Sequence, residues 1–315
     1  MKHLCIINPK AGQVSGRIDE ILDMIKGFFS RNPGMENIIH VTRYKRDASG
    51  FVMRYVRNTS EIVRVYVFGG GGTLFEVING VAGFPNVQVA YYPLGKDNDL
   101  LTGFAKNSHR AFKSVRNLSL FPAIPIDTIL AGNHYFVTNA LIGIEADSYI
   151  QGRKLSKRLK LPVTTCYYIC AFYYAFTKKL IKHYRIEIDG EELNDEYIGI
   201  CIMNVPGNAM GTPAPESCIN DGFMDVYIIK QMPKNLVIKI MKDYCNGKHN
   251  NWPQYIYYYR CKKLKISSVK DMTFVPDGEV FYNRELDLEI QPASINFVCQ
   301  VSIDEFALPG SGEIF

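Results

Sequence analysis

Apolar positions follow two different rhythms along the chain. Over roughly the first 120 residues, short unbroken apolar runs alternate with stretches of helical spacing. Residues 3–8 (HLCIIN) predict a strand closed by Pro9-Lys10-Ala11-Gly12, and a helix follows from about Ser15 to Ser30 with Ile18, Ile21, Leu22 and Ile25 on one face. A second strand is expected at 38–42 (IIHVT), a helix from about Asp47 to Arg57, and a β-branched and aromatic strand from Ile62 to Phe68. Val87 to Tyr92 is a fourth strand, followed by Pro93-Leu94-Gly95-Lys96-Asp97-Asn98-Asp99 and a short helix. Strands alternating with helices predict a parallel, doubly wound sheet, whose ligands sit beyond the carboxyl ends of the strands. The turns at 8–12, 42–48, 69–73 and 93–99 are therefore expected to open on one crevice.

The rhythm changes after about residue 120, where Pro122 and Pro125 break the chain. Short alternating strands are expected at 126–131, 134–139, 184–189, 197–203, 224–229, 254–260, 262–267, 272–276 and 285–290, with helices only near 150–182 and 233–246. Turns such as Asp189-Gly190 and Asp221-Gly222 separate them. The fold class read from these rhythms is α/β plus β: a doubly wound α/β domain, then an antiparallel β-sandwich. The expected domains are 1–122, with 292–315 returning to it, and 123–291, with a ligand cleft between them.

Within the first half, Gly69 to Gly72 stand between the third strand and a helix, with no side chain to hold the backbone away from a ligand. Thr73-Leu74-Phe75-Glu76 fits a capping box, in which the Thr73 hydroxyl takes the Glu76 amide proton and Glu76 reaches back. Strand, glycine turn and capped helix point backbone N–H groups and a positive helix end at an anion, with phosphate the favoured occupant. A flexible strand-to-helix turn is the plainer reading.

Composition narrows the class. Hydrophobic content of 47% and charged content of 21% describe a globular protein rather than a disordered one. The amino terminus reaches Asn8-Pro9 too early for a secretory apolar region, so a cytoplasmic protein is expected. Eight cysteines without a CxxC pair and scattered histidines point to reduced thiols and to no zinc ribbon. The net charge of +5 is smaller than the nine Lys or Arg between 151 and 185, a segment without Asp or Glu, so the rest of the chain is net negative. Between the basic flanks lies LPVTTCYYICAFYYAF (161–176), short of the roughly 20 apolar residues of a membrane span. Peripheral contact of 151–185 with an anionic membrane and a core helix with solvated ends both fit. No recognition motif supports nucleic acid binding.

The common phosphate motifs fail. Gly95-Lys96 lacks the upstream Gly and the following Ser or Thr of a P-loop, and Gly-x-Gly-x-x-Gly cannot be laid on 69–75. A third pattern fits. Asn8-Pro9-Lys10-Ala11-Gly12, Thr42 with Asp47-Ala48, Gly69 to Gly80, Pro93-Leu94-Gly95 with Asn98-Asp99, Asp221 to Val226, and Asp277-Gly278-Glu279 follow in order. With these the chain resembles the diacylglycerol kinase catalytic family, lipid kinases related to sphingosine and ceramide kinases, and especially its bacterial-type soluble members.

The resemblance implies ATP-dependent phosphorylation of a lipid hydroxyl, with the α/β domain binding nucleotide and the β-sandwich binding lipid. ATP contacts would fall on Asn8, Pro9, Lys10, Ala11, Gly12, Thr42, Gly69, Gly70, Gly71, Gly72, Thr73, Glu76, Lys96, Asn98 and Asp99. Glu279, with Asp277 beside it, would be the base, and Mg²⁺ would be held near Asp221 with help from the backbone at Cys218 and Phe223. By residue type alone, Asp277-Gly278 is a hairpin turn like Asp189-Gly190, and Asp221 and Asp225 are a turn residue and a strand-end charge. A homodimer stays open. Three departures fall in the nucleotide site: Gly71 stands where the family has Asp, Phe75 where it has Asn, and Lys96 where it has Thr. Together Gly71 and Lys96 make the site more positive, which favours phosphate and weakens Mg²⁺ attraction; Asp97, Asp99 or Lys96 could compensate. The alternatives are a catalytically weakened relative that binds nucleotide or lipid as a regulator and, more remotely, an NAD kinase.

Overall fold

The computed structural model describes residues 1–12, 16–95, 98–177, 182–208 and 210–300, with the backbone alone at 106–108, 175, 182–183 and 194. The chain divides into two compact units, Met1–Thr128 together with the segment from Pro292, and Ile129–Gln291.

The first unit is a parallel sheet wrapped by helices. In chain order it contains β1 (Lys2–Ile7), α1 (Ile18–Ser30), β2 (Asn37–Val41), α2 (Asp47–Arg57), β3 (Val63–Gly69), α3 (Gly71–Val81), β4 (Val87–Pro93) and α4 (Val115–Leu120), then the start of β5 (Ala123–Ala131). β1 lies between β2 and β3, β4 flanks β3, and the end of the last strand adds beyond β4, all parallel, with Asn296 opposite Gln88. β3 is buried along its whole length because both faces of the sheet are covered, as parallel sheets require. β2, at the edge, keeps no fully buried residue.

Among the described residues, the buried polar side chains of this unit have partners. The Arg64 guanidinium donates to Gln88 Oε1 at 2.7 and 3.0 Å and to the carbonyls of Leu118 and Ser119 at 2.9 and 2.8 Å, tying β3 and β4 to the end of α4 without a carboxylate. Gly80 is required by close approach, since a Cβ there would lie 2.8 Å from the Ser49 carbonyl oxygen of α2. Asp127, on β5, accepts the Ala293 amide at 2.7 Å and anchors the returning segment. Residues 301–315 of that segment lie outside the described residues.

The second unit is an antiparallel β-sandwich with helices. It continues with β6 (His134–Phe136), β7 (Asn139–Gly143), α5 (Ile144–Leu159), α6 (Val163–Thr177), β8 (Lys182–Ile188), β9 (Glu191–Met203), β10 (Met224–Lys230), α7 (Val237–Cys245), β11 (Ile256–Cys261), β12 (Lys263–Pro276) and β13 (Phe281–Val298). The order runs β11-β10-β9-β7-β12-β13. β8 pairs with both β9 and β12, on stretches other than those β7 uses. Asp189 (φ +46°) and Gly190 (φ +92°) make the two-residue β8–β9 turn, where only left-handed conformations match the strand twist.

Several elements depart from the sequence expectation. The helix expected near 150–182 is two helices, α5 ending where Lys160 turns left-handed (φ +58°) before Pro162. The strands expected at 262–267 and 272–276 are one strand, β12, with a register shift between Ser267 and Met272. The expected 134–139 strand is split between β6 and β7. Cys166 and Cys170 are packing residues, Cys166 fully buried and Cys170 against the core around α6 and α7.

Candidate functional site

Because β1 to β4 are parallel, the turns that leave them share one rim of the first unit. The β3–α3 turn is the centre of that rim. Gly70 is extended (φ −98°), and none of Gly69 to Gly72 takes a positive φ. Their lack of side chains is a matter of space. A Cβ on Gly69 would lie 2.5 Å from the Thr73 side chain, and one on Gly70 would press on the Gly95 Cα at 3.4 Å. The Leu94 amide donates to the Gly69 carbonyl at 2.8 Å, so the turns after β3 and β4 lie side by side.

The capping box expected at Thr73 and Glu76 does not form. Helix α3 starts three residues earlier, with Gly70 rather than Thr73 as N-cap and no side chain capping it. Thr73 is the third helical residue, nearly buried, and its hydroxyl accepts from Asn8 Nδ2 at 2.9 Å. Glu76 reaches instead to the start of α2, where it accepts from the amides of Arg46 (2.8 Å) and Ala48 (3.3 Å). The sequence motif was local; the third glycine extended the helix and the two side chains found partners in neighbouring turns. An uncapped helix N-terminus beside glycine backbone leaves N–H groups to face an anion.

The turn after β1 is organised by Asn8, whose Oδ1 accepts the Lys10 amide at 2.9 Å. Its own amide donates to the Phe68 carbonyl, and Ala11 closes on the Asn8 carbonyl. Lys10 is exposed, as is Gly12, while Pro9 is half-buried. After β2, the Thr42 amide bonds to the Ile7 carbonyl at 2.8 Å, and Asp47 accepts from the Arg43 amide (2.8 Å) and faces His40 Nε2 (3.2 Å). Beyond β4, Asn98 accepts from the Tyr91 hydroxyl and donates to the Gly95 carbonyl, with Asp99 opening a 3₁₀ turn. Lys96 and Asp97 lie outside the described residues. Phe75 is 7% exposed and packs within the core, which explains an aromatic residue at that position.

In the second unit, Asp277 and Gly278 form a left-handed pair (φ +44° and +79°). The Asp277 carboxylate accepts the amides of Val137, Thr138 and Asn139 at 2.9–3.3 Å and the Thr138 hydroxyl at 2.5 Å. Burial pushes its pKa up, and these donors oppose the rise. With four donors on its oxygens, Asp277 holds the 137–139 segment in place. Glu279 is half-buried, its amide bonded to the Pro276 carbonyl at 2.8 Å. The Arg153 guanidinium donates to the Gly278 carbonyl at 3.3 Å.

The side chains tied to Mg²⁺ by resemblance have protein partners. Asp221 accepts the Phe223 amide (3.0 Å) on one oxygen and the Arg260 guanidinium (2.7 Å) on the other, and Cys218 Sγ donates to Asn220 Oδ1. Among the described residues, no three His, Cys, Asp or Glu converge as a metal-holding group. A hard divalent ion needs several oxygens, and here the carboxylate already carries a cation.

Sequence reading missed one buried carboxylate. Glu145, at the start of α5, is fully buried, accepts from the Tyr167 hydroxyl at 2.7 Å and has a pKa pushed up to about 7 by desolvation. Its place two residues after Gly143, at the end of the apolar run Ala140 to Ile144, was the available signal.

Comparison with known proteins agrees with this layout. The diacylglycerol kinase catalytic domain matches residues 2–127, and the YegS C-terminal NAD kinase beta sandwich-like domain matches residues 142–299. A diacylglycerol kinase of Staphylococcus aureus is 26% identical over 281 residues, covering 87% of this chain and 84% of that protein. The diacylglycerol kinase of Bacillus subtilis is 25% identical over 255 residues, 78% of this chain and 80% of that one. A crystal structure of a diacylglycerol kinase from Bacillus anthracis superposes with a TM-score of 0.67 over 95% of this chain and 97% of that chain, at 20% identity. The chain belongs to the diacylglycerol kinase catalytic family, with the YegS-type C-terminal domain. It is accordingly a lipid kinase, a phosphotransferase.

Proposed function

We propose that the protein transfers the γ-phosphoryl group of ATP to the hydroxyl of a lipid such as diacylglycerol. The observation that carries this is the glycine turn of the first unit, pressed against Gly95 and continuous with an α3 N-terminus that no side chain caps. A polyphosphate fits such a cradle: backbone amides and the helix end supply positive potential, and Lys10 adds an exposed cation. Asn8, Thr73 and Asn98 hold the surrounding turns, and Thr42 and Gly12 flank them. Gly71 brings no carboxylate, so Mg²⁺ enters with the nucleotide as part of the substrate.

Glu279 takes the proton of the lipid hydroxyl while the hydroxyl oxygen bonds to the γ-phosphorus. The bond to the β–γ bridging oxygen breaks, and ADP leaves. Phosphoryl transfer asks mainly for positioning and charge neutralisation, so one carboxylate and a backbone cradle suffice for the protein's part. Asp277 positions the turn that carries Glu279 rather than acting as a base, since its oxygens are occupied by donors.

The lipid is met at an anionic membrane surface. Among the described residues no helix is long and apolar enough to cross a membrane. The end of α5 exposes Arg153, Lys154, Lys157, Arg158 and Lys160, and α6 exposes Ile169, Phe172, Tyr173 and Phe176, one stripe at helical spacing. A basic end beside an apolar stripe is the composition of an interfacial helix. Transfer of labelled γ-phosphate to diacylglycerol, phosphatidylglycerol, sphingoid base and polyprenol in separate reactions tests the function. Labelled lipid product is expected with at least one; nucleotide binding without transfer to any would favour a regulatory role, and phosphorylation of NAD would move the substrate away from lipids.

A further inference from the structure

Where the chain enters β10, two acidic side chains, Asp221 and Asp225, are engaged by the protein itself. Asp225 is buried and accepts the Ser217 and Tyr258 hydroxyls, each at 2.6 Å. Asp221, with a side chain only 10% exposed, accepts the Phe223 amide and the Arg260 guanidinium. Arg260 stands on β11 directly opposite Asp225 of β10, so strand register fixes where its side chain begins. Its guanidinium also lies 4.6 Å from the centre of the Phe223 ring, and Lys262 Nζ lies 5.1 Å from the same ring. Cation–π contact and a carboxylate together hold a planar guanidinium in one place.

The geometry points to Arg260 as the resident cation of the 217–225 loop, standing where the family resemblance places a divalent metal. A Mg²⁺ ion bound to Asp221 would sit at about 2.1 Å from a carboxylate oxygen, within a few ångströms of the guanidinium, and would meet its repulsion, while both oxygens of the neighbouring Asp225 accept the Ser217 and Tyr258 hydroxyls. This loop is therefore ordered by an internal ion pair, and its stability does not depend on divalent metal. The inference goes beyond the proposed kinase reaction and does not rest on it, since it concerns folding rather than transfer.

Thermal unfolding of the full-length, nucleotide-free protein in EDTA and in MgCl₂ provides the test. The wild-type melting temperature is expected to be the same in both. Arg260→Gln in EDTA is expected to melt about 3–6 °C lower, and in MgCl₂ to regain part of that loss, because an unpaired Asp221 then becomes available to the metal. Asp221→Asn in the Arg260→Gln background is expected to abolish the regained stability and to add no further loss in EDTA. A wild-type protein that loses several degrees on chelation overturns the inference, as does an Arg260→Gln protein that melts like wild type. Should Arg260→Gln not fold, the wild-type comparison and Asp221→Asn alone decide the matter: the metal assignment requires that Asp221→Asn remove a Mg²⁺-dependent stabilisation, and the present one requires that there be none to remove.

Discussion

Asn8 Nδ2 donates to Thr73 Oγ1 at 2.9 Å, joining the turn after β1 to the third residue of α3. That bond locks two of the four turns on the rim against each other, and Gly69 is glycine because the Thr73 side chain occupies the place of its Cβ. Thr73→Val keeps the shape and removes the acceptor. It is expected to lower stability by about 1–2 kcal/mol in urea unfolding and to weaken ATP binding measured by titration. Unchanged ATP affinity would show that the turn does not touch the nucleotide.

Gly71 opens α3 with an ordinary helical backbone, so a larger residue meets no conformational strain there. Gly71→Asp places a carboxylate at the first helical position, which the helix dipole favours by about 0.3–1 kcal/mol. Turnover is expected to rise and the Mg²⁺ dependence of transfer to shift to lower concentration. An unchanged metal dependence would mean that another residue has taken over the role.

Burial raises the Glu145 pKa to about 7, above its ordinary value of 4.5. Between those two values the folded chain holds more protons here than the unfolded one, so stability is full below about pH 4.5 and falls as pH rises to about 7. The loss reaches about 3 kcal/mol. Glu145→Gln removes it: the variant is expected to match wild type near pH 5 and exceed it at pH 8 in urea unfolding. Parallel pH profiles for the two proteins would contradict this.

Phe172 and Tyr173 are exposed on the α6 stripe, 42% and 58% respectively. Replacing both by Ser is expected to weaken binding to phosphatidylglycerol-containing vesicles at least tenfold, with little change in melting temperature. Replacing Lys154 and Lys157 by Ala removes about 1 kcal/mol of attraction per charge and flattens the salt dependence. Equal binding by wild type and both variants would remove this surface from the membrane contact.

Much of this was legible in the chain, for identifiable reasons. The parallel sheet of the first unit could be read because β1 and β3 are short apolar runs between glycine or proline turns, and the α2 boundaries were read to the residue. The start of α3 was not, because capping-box logic weighs only the residues in the box, whereas Asn8 and Arg46 compete for Thr73 and Glu76 from elsewhere in the sheet. The cation on Asp221 was equally hidden: Arg260 is 39 positions away, and only the β10–β11 pairing brings them together. Two Asp-Gly turns that look alike in sequence also part company in the fold. Asp189 accepts amides from 262 and 263, whereas Asp277 gathers those of 137 to 139 and a hydroxyl.

The central claim is a lipid hydroxyl activated by Glu279 and phosphorylated from ATP held on the glycine turn. Glu279→Gln, assayed for γ-phosphate transfer to lipid alongside direct ATP titration, tests it most directly. Transfer is expected to fall by about 10²-fold or more with ATP affinity unchanged; transfer within a few-fold of wild type would contradict it.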